Sequence, residues 1–187
     1  MMVETGAAVA EKRHLLITGL PGSGKTTLLI ELVRHFVHLA PAGFYTEEVR
    51  ERGVRRGFRL QSLDGMEGVL ADVAFGGPHR VGRYGVDVDG FEAFLASLDL
   101  PAQPSPLVFI DEIGKMECLS HRFVRLAESL LDSGKTVVAT VARQGEGLIG
   151  KVKERPDSLL VEVTRMNRQS LQDELVHWLE QHLAVKP

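Results

Sequence analysis

One cysteine, Cys118, is all the thiol that the 187-residue chain contains. An intramolecular disulfide is therefore excluded, and a reducing compartment is favoured over a cross-linked secreted scaffold. Cys118 itself reads as a small, partly buried filler. Charge of one sign is also lacking. Twenty-two Lys and Arg against 25 Asp and Glu leave a formal net charge of -3. That balance supplies no long-range attraction for nucleic acid or for an anionic membrane. No apolar run reaches the ~18 residues that a bilayer span needs. The seven histidines are scattered without metal-ligand spacing. The first residues, MMVETGAAVAEKRH, have neither a basic n-region nor a long apolar h-region, so no secretory signal is expected. Residues 1–12 read as a flexible N-terminal extension, and a cytoplasmic protein is the expectation. Internal repeats and low-complexity segments are absent too.

What the chain does have is a hydrophobic content of 44%, enough for a sizeable core. Its length favours one domain, placed at residues 13–187. Residues 14–18 (HLLIT) form a short apolar run, which predicts a buried strand. From Lys25 to about His38, apolar residues recur at helical spacing and place Val37 on the buried face. Short extended runs over residues 44–73, separated by Gly and Asp-Gly, predict antiparallel hairpins. The spacing of Asp89 and Glu92 suggests a capping box opening a helix to about Leu98. The four-residue apolar run that opens at Leu107 follows as a buried strand ending at the acids Asp111 and Glu112, then a helix capped by Ser120 and closed by Gly134. A strand over 136–142, a short helix near 147–155 and a strand over 159–164 come next. A last helix is predicted from about Ser170 to Leu183, with Leu171, Leu175, Leu179 and Leu183 on one face. Strands alternating with helices predict an α/β fold: a mostly parallel central sheet flanked by helices and extended by the antiparallel hairpin strands.

Gly19-Leu20-Pro21-Gly22-Ser23-Gly24-Lys25-Thr26 fits the phosphate-loop pattern G-x-x-x-x-G-K-[ST], with a strand before it and a helix after it. The chemistry demands these residue types. Glycines let successive backbone N–H groups turn inward onto phosphate oxygens, and the helix adds its N-terminal dipole. Lys25 sets a cation against the β- and γ-phosphates, and the Thr26 hydroxyl suits Mg²⁺.

The stretch LVFIDEIGKME ends an apolar strand in two adjacent acids. A phosphate loop needs a carboxylate delivered by another strand, so Asp111 is the expected metal-side acid. Successive strand residues alternate faces, so Glu112 is not a duplicate. It is the candidate to orient or deprotonate the attacking water, with Lys25 as the second catalytic candidate. The alternative for Glu112 is a solvated strand end or an ion pair with Lys115.

Beyond the loop, GLPGSGKTTL, GFYTEEVR, RRGFRL, VGRYGVDVDGFE, VFIDEIGKME and EVTRMNR resemble, in order and spacing, the nucleoside-triphosphatase family of thermophiles. Its vertebrate member is called cancer-related nucleoside-triphosphatase. The resemblance runs from about residue 14 to 180. It implies a RecA-like P-loop NTPase fold and slow, Mg²⁺-dependent hydrolysis of NTP to NDP and phosphate. Tolerance of several bases follows from it, so ATP, GTP, CTP and UTP are the expected small-molecule partners. Two nucleotide-contacting segments are implied. One is the loop Gly19–Thr26 with Thr27 after it. The other is Leu107, Val108, Phe109, Ile110, Asp111, Glu112, Ile113 and Gly114.

Broad base use agrees with the lack of an [NT]KxD segment. Asn167 and Arg168 are candidates to touch the base or ribose; Asn167 as a plain cap of the last helix stands beside that reading. Arg143 is the first candidate for an arginine on the γ-phosphate, ahead of Arg80, Arg83 and Arg155, all expected in loops. Thr46, Glu47 and Glu48 follow the first helix and could approach the metal site as switch residues do; the first reading is an ordinary strand with a polar solvated face. RERGVRRGFR reads as a solvated basic hairpin, without the aromatic pattern of a nucleic-acid site. A monomer is expected. Two other functions fit the same motifs: a kinase passing phosphate to a small acceptor or nucleotide, and a switch using Asp111–Gly114 as D-x-x-G to sense the γ-phosphate.

Overall fold

The computed structural model describes residues 11–184. The expected N-terminal extension falls outside these residues except for its last two, of which Lys12 donates from Nζ to the Ser158 carbonyl at 3.0 Å. The elements in order are β1 (His14–Thr18), α1 (Lys25–His35), β2 (Ala42–Glu51), β3 (Val54–Ser62), β4 (Glu67–Asp72), β5 (Arg80–Val81) and β6 (Tyr84–Val86). Then follow α2 (Val88–Leu98), β7 (Leu107–Ile113), α3 (His121–Leu131), β8 (Thr136–Val141), α4 (Leu148–Lys153), β9 (Ser158–Glu162) and α5 (Arg168–Ala184).

All nine strands join one sheet in the order β5-β6-β4-β3-β2-β7-β8-β1-β9. From β2 to β9 neighbouring strands are parallel, and from β2 outward to β5 they are antiparallel. The central strands β1, β7 and β8 are covered on both faces, which is why they read as continuous apolar runs. Leu15 and Ile17 pack with α1 and α5 on one face, while Leu16 joins the cluster of α2, α3 and α4 on the other. Phe44 of β2 meets Phe91, Phe94 and Phe123 in edge-on contacts, fastening the hairpin region to α2 and α3. Among the described residues no helix is long and apolar enough to cross a membrane.

Several boundaries differ from the sequence expectation, each for a local reason. Helix α1 stops at His35, and a 3-10 turn over Val37–Leu39 swings the chain into β2, leaving Val37 67% exposed. Helix α2 is capped by Asp87 through Gly90 N–H, two residues before the expected start. Glu92 instead accepts from Ser120 Oγ at 2.7 Å, so the expected capping-box acid ties α2 to the start of α3. Ser120 caps α3 as predicted, accepting from Phe123 N–H at 3.0 Å. That helix closes on Asp132 rather than Gly134, its amide reaching back to Glu128. Helix α5 begins at Arg168, two residues earlier than predicted, with Leu171 N–H bonded to the Asn167 carbonyl. Arg80 opens the short strand β5 and was not recognised as strand. The basic hairpin is largely self-neutralised, with Arg50 and Arg55 on Glu48, and Arg56 on Glu51 and Asp72.

One consequence of the strand order positions the site. Strand β8 lies between β1 and β7, so the phosphate loop and the acidic pair leave the sheet on the same carboxyl edge. That edge is where open α/β sheets receive their ligands.

Candidate active site

The loop between β1 and α1 turns on a hydrogen bond from Ser23 N–H to the Leu20 carbonyl at 3.1 Å. Gly24 immediately before α1 has φ 99, and a Cβ there would stand 2.8 Å from Cδ of Arg168. Only glycine fits both the left-handed backbone and that contact. The first turn of α1 holds no acid and its N-terminus has no side-chain cap. Its leading amides are thus left for an anion. Ser23 Oγ is buried and has no partner among the described residues. A buried hydroxyl with no partner is costly, so a ligand that engages it would gain.

Asp111 is 1% exposed and is held from three elements. Its Oδ2 accepts from Thr26 Oγ1 of α1 at 2.8 Å, and from Thr46 Oγ1 and N–H of β2 at 3.2 and 3.3 Å. Its Oδ1 accepts from Thr140 Oγ1 of β8. These donors satisfy the buried carboxylate. At this point β7 bulges: Ile110 faces Ala139, yet Ile113 faces Val141, so β7 has one residue more than β8 between the two pairs. Bulges re-aim side chains, and this one sends Asp111 and Glu112 to different neighbours. The peptide bond joining the two acids is cis.

Glu112 lies beside the loop lysine, with Lys25 Nζ 3.5 Å from its Oε2 and 3.4 Å from the Gly19 carbonyl. Burial pushes the Glu112 carboxyl above its ordinary value, with the adjacent Asp111 charge adding to the shift and Lys25 opposing it. Glu117 is a second, deeper acid, 6% exposed. Burial raises its carboxyl to about 8, and the charges of Glu112 and Asp111 push the same way. A Cβ on Gly114 would stand 2.7 Å from Glu117 Oε2 and 2.9 Å from Glu112 Oε1. Gly114 therefore leaves room for two carboxyl groups on one face of its backbone.

Arg143, just beyond β8, lines the same cavity as Gly19, Lys25 and Glu112, and its Nε is 3.6 Å from Glu162. Lys153 of α4 donates to the carbonyls of Ala142 and Arg143 at 2.6 and 2.8 Å and so fixes that stretch. Arg80, Arg83 and Arg155, the other candidates, are occupied elsewhere. Arg80 bonds the Phe75 and Arg83 carbonyls, Arg83 the Arg55 carbonyl, and Arg155 bonds Asp132 and Asp157. The Asn167 side chain accepts from Thr164 N–H at 2.7 Å and donates to the Glu162 carbonyl at 3.0 Å. It closes the turn leaving β9 and does not bond an amide of α5 as a side-chain cap would. Arg168 runs past Gly24, against the phosphate loop.

No group of three or more His, Cys, Asp or Glu suited to a metal occurs among the described residues. The oxygens gathered at Asp111 are of another kind: one carboxylate and the hydroxyls of Thr26 and Thr46. Hard oxygen donors in that number suit Mg²⁺, which takes few protein ligands and completes its shell with phosphate and water. Thr46, which from sequence could approach the metal site but read first as an ordinary strand residue, does reach Asp111. Thr140 has no such mark in the sequence reading, although a polar Thr inside TVVATVA is a usable signal. Glu117 was missed because nothing in KMECL marks it as buried.

A glycine-rich loop at a helix N-terminus, facing a buried aspartate across one intervening strand, defines a P-loop nucleotide-binding protein. Comparison with known proteins narrows this. The family model described as NTPase matches residues 14–176, and the chain belongs to that family. The nucleoside-triphosphatase THEP1 of Thermotoga sp. (strain RQ2) is 44% identical over 167 residues, spanning 89% of this chain and 95% of the relative. The crystal structure of THEP1 from the hyperthermophile Aquifex aeolicus superposes with a TM-score of 0.82 at 32% identity, covering 89% of this chain and 99% of that one. The solution structure of a human cancer-related nucleoside triphosphatase gives 0.75 at 34% identity, covering 90% and 98%.

Proposed function

We propose that this protein is a Mg²⁺-dependent nucleoside-triphosphatase that converts NTP and water to NDP and phosphate, slowly and with little base preference. One observation carries the reading: Thr26 of the phosphate loop is hydrogen-bonded to Asp111 while Lys25 of the same loop stands beside Glu112. The loop and the two acids therefore form one site with two separate tasks. Loop amides and Lys25 bind the phosphate tail. Thr26 and Asp111 would hold Mg²⁺, with Thr46 supporting Asp111. When bound, Mg²⁺ neutralises charge on the β- and γ-oxygens. Glu112 accepts the proton of the water that attacks the γ-phosphorus.

Slow turnover is consistent with the arginines, since Arg143 is the candidate at the cavity and it is drawn toward Glu162. A well-placed arginine raises such rates by ~10³–10⁵. Broad base use is consistent with Asn167, whose side chain is spent on its own turn. A switch reading is less favoured, because the Glu117 carboxyl lies close against Gly114, whose amide would have to sense the γ-phosphate. The proposal includes residues 13–187 as one domain, acting as a cytoplasmic monomer.

The test is phosphate release from ATP, GTP, CTP and UTP, each with Mg²⁺ and with EDTA. Release from all four nucleotides, lost in EDTA, is the expected result. No release from any nucleotide would refute the proposal, and release from one alone would remove the broad specificity.

A further inference from the structure

Two cavities meet at Glu112. One, of about 310 Å³, lies against the phosphate loop and Arg143. The other, of about 260 Å³, lies on the hairpin side and is walled by Thr46, Phe58, Val81, Met116 and Glu117. Glu112 and Ala142 belong to both walls. Hydrolysis explains the first cavity. The second is larger than a single attacking water needs, about 30 Å³ in the liquid, and so leaves room for a bulkier nucleophile.

The position of the second cavity gives it a purpose. Phosphoryl transfer runs in line, so the nucleophile enters on the side of the γ-phosphorus away from the leaving group. The loop and Lys25 hold the phosphate tail on one side of Glu112. The space on its other side is where an attacking oxygen would wait. The walls are of two kinds, apolar (Phe58, Val81, Met116) and polar (Thr46, Lys115, Glu117). A mixed lining with a few convergent polar groups suits a small organic molecule.

The polar groups restrict which molecule that is. Glu112 faces the space as the proton-accepting carboxylate, so a phosphate or carboxylate on the acceptor would be repelled by it. A hydroxyl is welcome, since it donates to a carboxylate and accepts from a protonated carboxyl or a lysine. Burial keeps Glu117 largely protonated at neutral pH, which gives it both roles.

We infer that the hairpin-side cavity is an acceptor subsite for small, uncharged, hydroxyl-bearing molecules, and that the protein transfers the γ-phosphoryl group to such an alcohol as well as to water. The inference rests on the hydrolase reading above, with the alcohol taking the place of water. The alcohol oxygen forms the new bond to the γ-phosphorus. The bond from that phosphorus to the β,γ-bridging oxygen breaks, and its electron pair leaves with NDP. The hydroxyl proton passes to Glu112 and then to solvent, so ROH and NTP give a phosphate monoester, NDP and one proton.

The test incubates the full chain with Mg·ATP and methanol, ethylene glycol or glycerol, and measures inorganic phosphate and alkyl phosphate by ³¹P NMR. With a subsite, ethylene glycol or glycerol phosphate exceeds the alcohol's mole fraction by about tenfold, roughly what one retained hydrogen bond yields. It also saturates with alcohol concentration. Val81→Phe, which fills the space from β5, is expected to lose the monoester while phosphate release continues. If that variant does not fold, a size series on the unaltered protein carries the same question: the monoester must fall away once the polyol outgrows the cavity. Monoester that only tracks mole fraction, for every alcohol and without saturation, would overturn the subsite and leave the hydrolase standing. Absence of both phosphate and monoester would instead remove the hydrolase reading, and the subsite with it.

Discussion

Replacing Gly114 by alanine isolates how much the placement of Glu112 matters. The backbone of Gly114 lies outside the left-handed region, so alanine meets no conformational penalty there. What it meets is crowding: the new methyl would lie 2.9 Å from Glu112 Oε1 and 2.7 Å from Glu117 Oε2. An ordinary contact needs ~3.5–4 Å, so each oxygen must retreat by roughly 1 Å. Glu117 is only 6% exposed and has little room, whereas Glu112 borders an open cavity and yields more easily. A misplacement of that size costs about 10²-fold in turnover. Overpacking should also cost about 1–3 kcal/mol of stability. Steady-state phosphate release gives the first quantity, urea unfolding the second, and a fluorescence titration with Mg·ATP shows whether binding survives. Turnover within twofold of the unaltered protein, with the variant folded, would refute the idea that Glu112 must be held where Gly114 allows it.

Other perturbations probe separate contacts. Thr46→Val keeps the shape but removes the hydroxyl that donates to Asp111 at 3.2 Å. The Mg²⁺ concentration for half-maximal activity should rise about tenfold, the worth of one hydrogen bond to a charged group, while nucleotide binding without metal is unchanged. Metal titrations of activity measure it. His14 is fully buried, and burial lowers its pKa from 6.5 to about 4 even though Asp157 pulls the other way. The unfolded chain then binds the extra proton, so stability should be intact above pH 6.5 and decline as pH falls toward 4. Urea midpoints at stepped pH test this, and His14→Gln should flatten the slope over that window.

The phosphate loop and the acidic pair were legible in the sequence because each is a contiguous string whose chemistry depends on its own spacing. The parallel strands were legible for a related reason, since burial on both faces leaves no polar positions in His14–Thr18 beyond its ends. Contacts made across the fold were not. Thr46 and Thr140 reach Asp111 over 65 and 29 residues of chain, and each alone looks like an ordinary strand threonine. The strands β5 and β6 are two and three residues long, too short for any alternation to show. Helix ends slipped where a competing partner decided the matter, as when Ser120 drew Glu92 away from its own helix terminus.

The division of labour between the two adjacent acids is the centre of this account, and Glu112→Gln tests it most directly. The change keeps the side chain's size and removes its ability to take a proton. Turnover of Mg·ATP should fall by ~10²–10⁴ while the affinity for Mg·ATP, measured on the same preparation, stays within a few-fold. Turnover close to that of the unaltered protein, or a loss of nucleotide binding in step with activity, would contradict it.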